Sequence, residues 1–243
     1  MSLRESHSRE SRAREKALPV SQRSVSVSSE LQLIYERRFR AQEQSREAVW
    51  SILVSKYFQR WIQEKETVLD LGAGYCEFIN HVKAAKKYAL DANPESAARA
   101  STSTQVITQD VATPWHITSS SIDVIFSSNF LEHLPSKEAL QFCLREAHRV
   151  LRPNGRILLL GPNIRFCANM YWDFFDHHLP LSDRSVVEVL ELSSFRVENV
   201  IPRFLPFTMK GKEAPPFLVS LYLRMPLLWP VLGKQFFIVA SKI

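Results

Sequence analysis

The stretch at residues 67–78, TVLDLGAGYCEF, constrains the fold of this chain more than any other. A short run of β-branched and aliphatic residues at 67–71 predicts a strand, and residues 77–87 predict a helix. Between them, Gly72 and Gly74 supply the backbone freedom that a sharp turn or a close approach to a ligand requires. The N–H groups at the start of the following helix face whatever lies over the turn. The stretch therefore predicts a nucleotide-like ligand at the mouth of an α/β sheet.

The sixth position of this glycine pattern indicates what kind of ligand binds. The dinucleotide fingerprint has glycine at its first, third and sixth positions, and here the sixth position is Glu77. A large acidic side chain opposes close packing of the helix on the strand and puts negative charge where phosphates would lie. A nucleotide-like ligand without phosphates fits this turn better than a dinucleotide does.

The next two predicted strands each end in an acidic residue. Residues 87–91 predict a short strand whose last residue, Asp91, lies nineteen positions after the first glycine. A carboxylate at such a position can accept hydrogen bonds from ribose hydroxyls. Its alternative role is to cap the following helix, for which Asn93 is better placed. Residues 104–111 predict the third strand, with Asp110 at its end.

The order of these motifs resembles that of the class I S-adenosylmethionine (SAM)-dependent methyltransferases, in particular the type 11-like group. The first motif of that family is an apolar run, an acid and Gly-x-Gly, and Asp70 is the acid here. A fourth strand at 122–129 is almost continuously apolar, as a strand covered on both faces should be, and runs into Glu-His-Leu at 132–134. Leu-Arg-Pro-Asn-Gly-Arg at 151–156 leads into a fifth buried strand. The resemblance covers residues 67–163.

The resemblance implies that SAM is the cofactor and that residues at the strand ends bind it. The implied cofactor-binding residues are Asp70, Gly72, Gly74, Asp91, Asp110, Val111 and Asn129. Asp91 would hold the ribose and Asp110 the adenine amino group, with the backbone N–H of Val111 meeting the ring. Asn129 would lie at the methionine end. The third glycine that the family often has is replaced by Cys76.

The implied fold class is α/β, a Rossmann-like sheet of seven strands with helices on both faces and an antiparallel last strand inserted beside the sixth. The remaining predicted elements are strands at 156–163, 195–201 and 235–241, helices at 137–151 and at 182–192 with Ser182 as its cap, and a turn at 152–155. The domain is expected to divide into N-terminal helices (30–66), a SAM-binding core (67–163) and a substrate-side region (164–243).

Residues 171–180 combine two acids and two histidines with aromatic residues, on the side of the family fold that faces the acceptor. A histidine near its free pKa can take the proton from a hydroxyl acceptor. His177 and His178 are therefore candidate catalytic residues, with structural or acceptor-contact roles as the alternative. His133 is expected to pack and brace a loop. Adjacent histidines on one short loop seldom point at one ion and no cysteine is near, so we expect no metal.

An unusual insertion at 202–234 separates the sixth and seventh predicted strands, where the plain form of the family has a short hairpin. Its apolar run at 217–229 is too short, and too broken by Arg224 and proline, to span a bilayer. The alternatives are a lid on the core, a membrane-interfacial element at 214–230 and a homodimer contact. Such an insertion would suit a small-molecule or lipid-linked acceptor, whose methylated group is a hydroxyl or a carboxylate.

Charge and composition bear on the location and partners of the chain. The net charge of +6 is concentrated at the two ends, and the middle of the chain is slightly acidic. This is not the even basic face of a nucleic-acid binder, so we expect no nucleic acid. Residues 1–29 are rich in Ser, Arg and Glu, which predicts a disordered basic tail, and Tyr35 in the next helix is a candidate for packing or cofactor contact. Three scattered cysteines and a polar N-terminus without signal-peptide character indicate the cytoplasm.

Two functions remain as rivals to methyl transfer. A protein of this fold that binds without catalysing is one, because Cys76 departs from the motif. A nicotinamide-dependent oxidoreductase is the other, and both Glu77 and Asp110 oppose it. The whole chain is also similar to bacterial methyltransferases of unassigned acceptor that share Asp-Phe-Phe-Asp-His-His at 173–178 and associate with glycan or lipid-carrier pathways.

Overall fold

A computed structural model describes residues 43–207 and 215–243 of the chain. These residues form a mixed sheet of seven strands in the order β3-β2-β1-β4-β5-β7-β6. The strands are β1 (Thr67–Leu71), β2 (Lys86–Asp91), β3 (Thr104–Thr108), β4 (Ile122–Ser128), β5 (Leu151–Pro162), β6 (Phe195–Ile201) and β7 (Gln235–Lys242). Strands β1 to β5 pair in parallel, and β7 runs antiparallel between β5 and β6. The predicted fold class and the inserted antiparallel strand are confirmed.

The helices within the described ranges alternate with these strands. They are α1 (Glu43–Lys56), α2 (Glu77–His81), α3 (Ser96–Arg99), α4 (Lys137–Val150), α5 (Ile164–Tyr171), α6 (Asp183–Leu192), α7 (Pro216–Leu223) and α8 (Trp229–Leu232). Short 3-10 turns lie at Phe58–Trp61, Leu131–His133 and Pro226–Leu228. None of these helices combines the length and the apolar character that a membrane crossing needs.

The hydrophobic core lies on both faces of the sheet. Successive residues of β1 point to opposite sides, so Val68 belongs to one buried cluster and Leu69 to the other. Helices α4 and α6 cover the Leu69 face, whereas α1, α7 and the chain around Phe204 cover the Val68 face. The helices on both faces explain why the central strands are mostly apolar.

Local signals in the sequence set the starts of α4 and α6. The hydroxyl of Ser136 accepts a hydrogen bond from the backbone N–H of Ala139 (3.2 Å), and that of Ser182 accepts one from Ser185 (3.1 Å). Each serine thereby satisfies one of the N–H groups that have no partner within the helix. The predicted cap at Ser182 is confirmed.

Several predicted boundaries were wrong. Helix α2 ends at His81 and does not reach residue 87, because Val82 is already extended (ψ 140°) and the chain returns to the sheet at β2. Strand β3 ends at Thr108, short of the predicted residue 111.

The predicted turn at 152–155 is instead a bulge within β5, where the pairing shifts between Ile122 and Val124 of β4. Asn154 adopts a left-handed φ of 61° there. Residue Asn163 does not extend β5 but caps α5. The expected tail at 1–29 and the helix containing Tyr35 lie outside the described residues.

Candidate functional site

The turn after β1 needs glycine at both predicted positions. Gly72 (φ 69°) and Gly74 (φ 53°) both have left-handed backbone conformations, which glycine adopts without steric cost. Gly72 is also packed closely, because a Cβ built there would lie 2.2 Å from Cγ of Phe130. The two glycines therefore let the chain turn tightly under the Phe130 ring.

Cys76 takes a glycine-like conformation at the position where the resembling family often has a third glycine. Its φ is 62°, it precedes the first residue of α2, and it is fully buried. A left-handed non-glycine residue costs roughly 1–2 kcal/mol. The thiol contacts the carbonyl oxygen of Ser96 at 3.5 Å. The backbone path of a third glycine is thus kept although the residue differs.

Asp91 joins the end of β2 to the glycine turn. Its Oδ2 accepts a hydrogen bond from the N–H of Gly74 (2.7 Å), and its Oδ1 accepts one from the N–H of Asn93 (2.8 Å). Each carboxylate oxygen retains a further lone pair that can accept from a ligand hydroxyl. The side chain of Asn93 accepts from the N–H of Glu95 (3.0 Å), so Asn93 rather than Asp91 braces the start of the next helix.

Asp110 and Val111 follow β3 at the same edge of the sheet as Asp91. The N–H of Gln109 donates to the carbonyl of Asp91 (3.0 Å), which ties the two strand ends together. The Asp110 side chain is exposed, and its Oδ1 accepts from the N–H of Ala112 (2.9 Å). Val111 is buried. This edge therefore presents an accessible carboxylate next to an apolar residue, a combination that suits a heteroaromatic ring with an amino group.

Asn129 follows β4 on the other side of the glycine turn. Its side chain is exposed, its φ is 48°, and its N–H donates to the carbonyl of Leu160 on β5 (2.8 Å). Because β3, β2, β1 and β4 are consecutive in the sheet, the predicted cofactor residues lie along one carboxyl edge. That edge is where open α/β sheets bind ligands.

The glycine turn is surrounded by carboxyl groups. Burial raises the pKa of Asp70 well above its usual range, and the neighbouring Glu77 and Asp91 raise it further. Burial also raises the pKa of Asp91, against the opposing effect of its backbone hydrogen bonds. Glu77 forms an ion pair with Arg46 of α1 (2.7 Å). The crowding of carboxyl groups at this turn opposes a further anion such as a pyrophosphate.

A second polar group lies just beyond β4. A carboxylate oxygen of Glu132 and one ring nitrogen each of His133 and His177 all lie within 4.8 Å of one another. Nδ1 of His133 lies 2.9 Å from the backbone oxygen and 3.3 Å from a carboxylate oxygen of Asp176. His133 therefore contacts the loop that contains His177, which agrees with a bracing role.

Glu132 is the most deeply buried member of this group. Only 2% of its surface is exposed, and Oε1 has no hydrogen-bond partner among the residues that the structure describes. Burial raises the pKa of Glu132 to about 7, and His133 opposes this rise. Glu132 can consequently gain or lose a proton near neutral pH. The sequence identified Glu132 only as part of the Glu-His-Leu motif at 132–134. Its position between the apolar residues Leu131 and Leu134 was the one local signal of its burial.

The two candidate catalytic histidines face different surroundings. The backbone N–H of His178 donates to the carbonyl of Glu132 (2.8 Å), which turns the His178 ring to solvent and the His177 ring inward. His177 is 6% exposed, and Phe174 stacks on it with 4.7 Å between ring centroids. The adjacent histidines do not point at one ion. Together with Glu132 and His133, His177 forms a trio whose donor types also bind transition metals.

Comparison with known proteins assigns the domain. Residues 69–159 match the family model Methyltransf_11, described as a methyltransferase domain. Residues 69–159 therefore form a SAM-dependent methyltransferase domain. SAM is accordingly its cofactor. No protein with a curated description matches the sequence.

Solved structures share the fold of this methyltransferase domain at low sequence identity. A SAM-dependent methyltransferase from Archaeoglobus fulgidus is 17% identical with a TM-score of 0.62, over 86% of this chain and 99% of that one. A SAM-dependent methyltransferase from Thermotoga maritima is 13% identical with a TM-score of 0.60, over 86% and 98%. The [4+2]-cyclase SpnF is 13% identical with a TM-score of 0.55, over 79% of each chain. The fold thus also occurs in a protein named for a different reaction.

The residues of this methyltransferase domain fit SAM chemically. The carboxyl groups around the glycine turn oppose a pyrophosphate, and SAM carries no phosphate. Asp91 retains acceptor lone pairs for two ribose hydroxyls, and Asp110 offers an exposed acceptor for an amino group. The roles of the individual cofactor residues stay predictions.

Sequence reasoning missed a polar network that joins three distant parts of the chain. The Asn163 amide donates to Asp183 (2.7 Å) and to the carbonyl of Pro202 (3.0 Å), and Arg165 forms an ion pair with Asp183 (2.8 Å). These contacts join the end of β5 to α6 and to the start of the insertion. The partners are far apart in the sequence, so no local pattern could indicate the network.

Proposed function

We propose that this methyltransferase transfers the methyl group of SAM to an oxygen of a small-molecule acceptor, such as a hydroxyl or carboxylate of a glycan or of a lipid-linked sugar. The observation that carries the proposal is the grouping of Glu132 and His177 just beyond β4, next to the predicted methionine end of the cofactor site. An imidazole beside a buried carboxyl group is suited to taking a proton from an acceptor hydroxyl.

Bound SAM supplies a methyl group on a positively charged sulfur, which a nucleophile in line with the methyl–sulfur bond can attack. The main tasks of the protein are therefore to orient the acceptor and to exclude water. Orientation of this kind contributes up to about 7–11 kcal/mol, whereas a single general base contributes about 10²–10⁴-fold in rate. Orientation is the larger effect, and a base matters chiefly when the acceptor is a hydroxyl.

For a hydroxyl acceptor, we assign the base to His177 rather than His178. The His177 imidazole would take the proton of the acceptor hydroxyl as that oxygen displaces the sulfide leaving group from the methyl carbon, and an ionised Glu132 would stabilise the imidazolium that results. The Phe174 ring covers His177, so the acceptor reaches the imidazole when this ring moves. A carboxylate acceptor is already deprotonated and needs no such base.

Methyl transfer is tested by incubating the protein with SAM labelled in the methyl group and with separate glycan, lipid-linked and small-molecule fractions. Label in one fraction identifies the acceptor class. Treatment of the labelled product with mild alkali then separates the two acceptor chemistries, because a methyl ester releases methanol and a methyl ether does not. SAM binding without transfer to any fraction would favour a binding protein instead.

The assignment of the base is tested with His177→Gln, using His178→Gln as the matched control. For a hydroxyl acceptor we expect His177→Gln to lower kcat by about 10²–10⁴-fold and to leave the affinity for SAM unchanged, while the control stays near wild type. Equal effects of the two substitutions on kcat would refute the assignment to His177.

A further inference from the structure

The insertion exposes an apolar surface, which we define as the outward side chains of residues 216–232. Its members are Phe217, Leu218, Leu221, Met225, Leu227, Val231 and Leu232, each between 42% and 90% exposed. Groups of exposed apolar side chains on one segment mark protein or membrane binding surfaces. We propose that this surface docks on an anionic lipid bilayer.

The apolar surface is held in place from beneath. The Tyr222 hydroxyl donates to the carbonyl of Phe204 (2.5 Å), and Nε1 of Trp229 donates to the carbonyl of Tyr222 (3.1 Å). The Trp229 and Phe204 rings pack edge to face with 4.9 Å between centroids, and Leu223 is buried in the core. The inward side chains thus hold α7 and α8 on the domain, and the outward side chains remain available to a partner.

The charge around the apolar surface identifies the kind of partner. The described residues of the insertion, 202–207 and 215–234, include Arg203, Arg224 and Lys234 and contain no acidic residue. The exposed Arg224 lies within the surface, and the Arg203 guanidinium donates to the carbonyls of Val231 (2.7 Å) and Gly233 (2.8 Å) at its edge. Apolar side chains with cationic neighbours fit the interface of a bilayer that carries anionic headgroups.

Two other occupants fit these observations less well. A bilayer crossing requires a long apolar helix, and the described part of the chain has none. A symmetric dimer through this surface would bring two copies of the same cationic patch to one interface, with Arg224 facing its own copy or near it. Anionic lipid instead provides both the apolar phase and the opposite charge.

The apolar surface lies next to the acceptor side of the domain. Phe207 contacts Phe174 (5.6 Å between centroids), and Phe174 in turn covers His177. Between Phe166 and Trp229 runs an open apolar cleft of about 220 Å³, smaller than the roughly 300 Å³ at which pockets for drug-sized ligands begin. Delivery of a lipid-linked acceptor to the site would follow from docking, and only this last step rests on the proposed function.

The test is flotation of the full-length protein with phosphatidylglycerol–phosphatidylcholine vesicles and with pure phosphatidylcholine vesicles. We expect flotation with the anionic vesicles, weaker flotation at high salt, and little with the neutral ones. The double variant Phe217→Ser/Leu227→Ser removes two strongly exposed side chains and should lower the partition coefficient at least about tenfold. Leu192→Ser, at an equally exposed position on α6, is the matched control and should float as wild type does.

Three results would overturn the proposal. The first is wild-type protein that does not float with anionic vesicles. The second is undiminished flotation of the double variant, which would assign binding to another basic segment such as residues 1–29. The third is a wild-type dimer that the double variant converts to a monomer in sedimentation equilibrium, which would make the surface a contact between copies. An unchanged melting temperature and SAM affinity show that the variant is folded, and flotation is measured whether or not methyl transfer is found.

Discussion

Replacing Asp91 with alanine is expected to weaken both the fold and the binding of SAM, because this carboxylate has two tasks. It accepts hydrogen bonds from the backbone N–H groups of Gly74 and Asn93, and it is only 8% exposed. Alanine leaves both donors without their acceptor. A buried donor that loses its partner costs about 1–3 kcal/mol, so the two together cost about 2–6 kcal/mol.

A loss of this size is measurable as a shift in thermal unfolding. For a domain of this length, 1 kcal/mol corresponds to a change in Tm of about 2–4 °C, so we expect Asp91→Ala to lower Tm by roughly 4–24 °C. Asp91→Asn keeps one acceptor oxygen and should show a smaller decrease. Loss of the ribose acceptor should raise the Kd for SAM at least about tenfold, which is about 1.4 kcal/mol.

The variant Asp110→Ala separates an effect on SAM binding from an effect on the stability of the fold. The Asp110 side chain is exposed and accepts one hydrogen bond, from Ala112, whose N–H water can satisfy. Its replacement should leave Tm nearly unchanged while weakening SAM binding. Calorimetry of folded Asp91→Ala with wild-type affinity for SAM would refute the assignment of the ribose to Asp91. A Tm equal to that of wild type would refute the bracing of the glycine turn.

Two further predictions concern buried ionisable groups. Because the pKa of Glu132 is raised to about 7 in the folded protein, Glu132 stabilises the fold while it is protonated, and this contribution is lost as pH rises from about 4.5 to 7. The contribution amounts to about 3 kcal/mol at 1.36 kcal/mol per pKa unit. In urea unfolding, Glu132→Gln should therefore gain stability relative to wild type as pH rises from 5 to 8. A stability difference between variant and wild type that is the same at both pH values would contradict this prediction. The three cysteines are buried, and burial raises their pKa values to about 11–12. We therefore expect no rapid reaction with a disulfide reagent at pH 8 in the folded protein and three reactive thiols in denaturant. A thiol that reacts rapidly before unfolding would contradict this, because it would show that one cysteine is accessible.

Local patterns were sufficient to predict most of the fold. The strand, turn and helix around Gly72 follow from an apolar run, two glycines and an amphipathic continuation, and β6 has the bounds that its sequence predicts. The cap at Ser182 needs only residues within one helical turn. These features depend on interactions between near neighbours, which a single sequence displays directly.

The errors arise where distant parts of the chain decide the structure. Pairing with β4 extends β5 back to Leu151 through a bulge, because the ladder tolerates Asn154 in a left-handed conformation. The grouping of Glu132 with His177 joins residues that are far apart in sequence. Backbone hydrogen bonds to the Glu132 carbonyl decide whether His177 or His178 turns inward. Local sequence patterns do not indicate these hydrogen bonds.

The most direct test of the central claim is isothermal titration calorimetry of the purified protein with SAM and with NADH, side by side. The family match predicts binding of SAM in the micromolar range, and the carboxyl groups of Asp70, Glu77 and Asp91 predict no heat of binding with NADH. Binding of NADH without binding of SAM would contradict the account, because it would mean that this turn accepts a pyrophosphate in spite of its carboxyl groups.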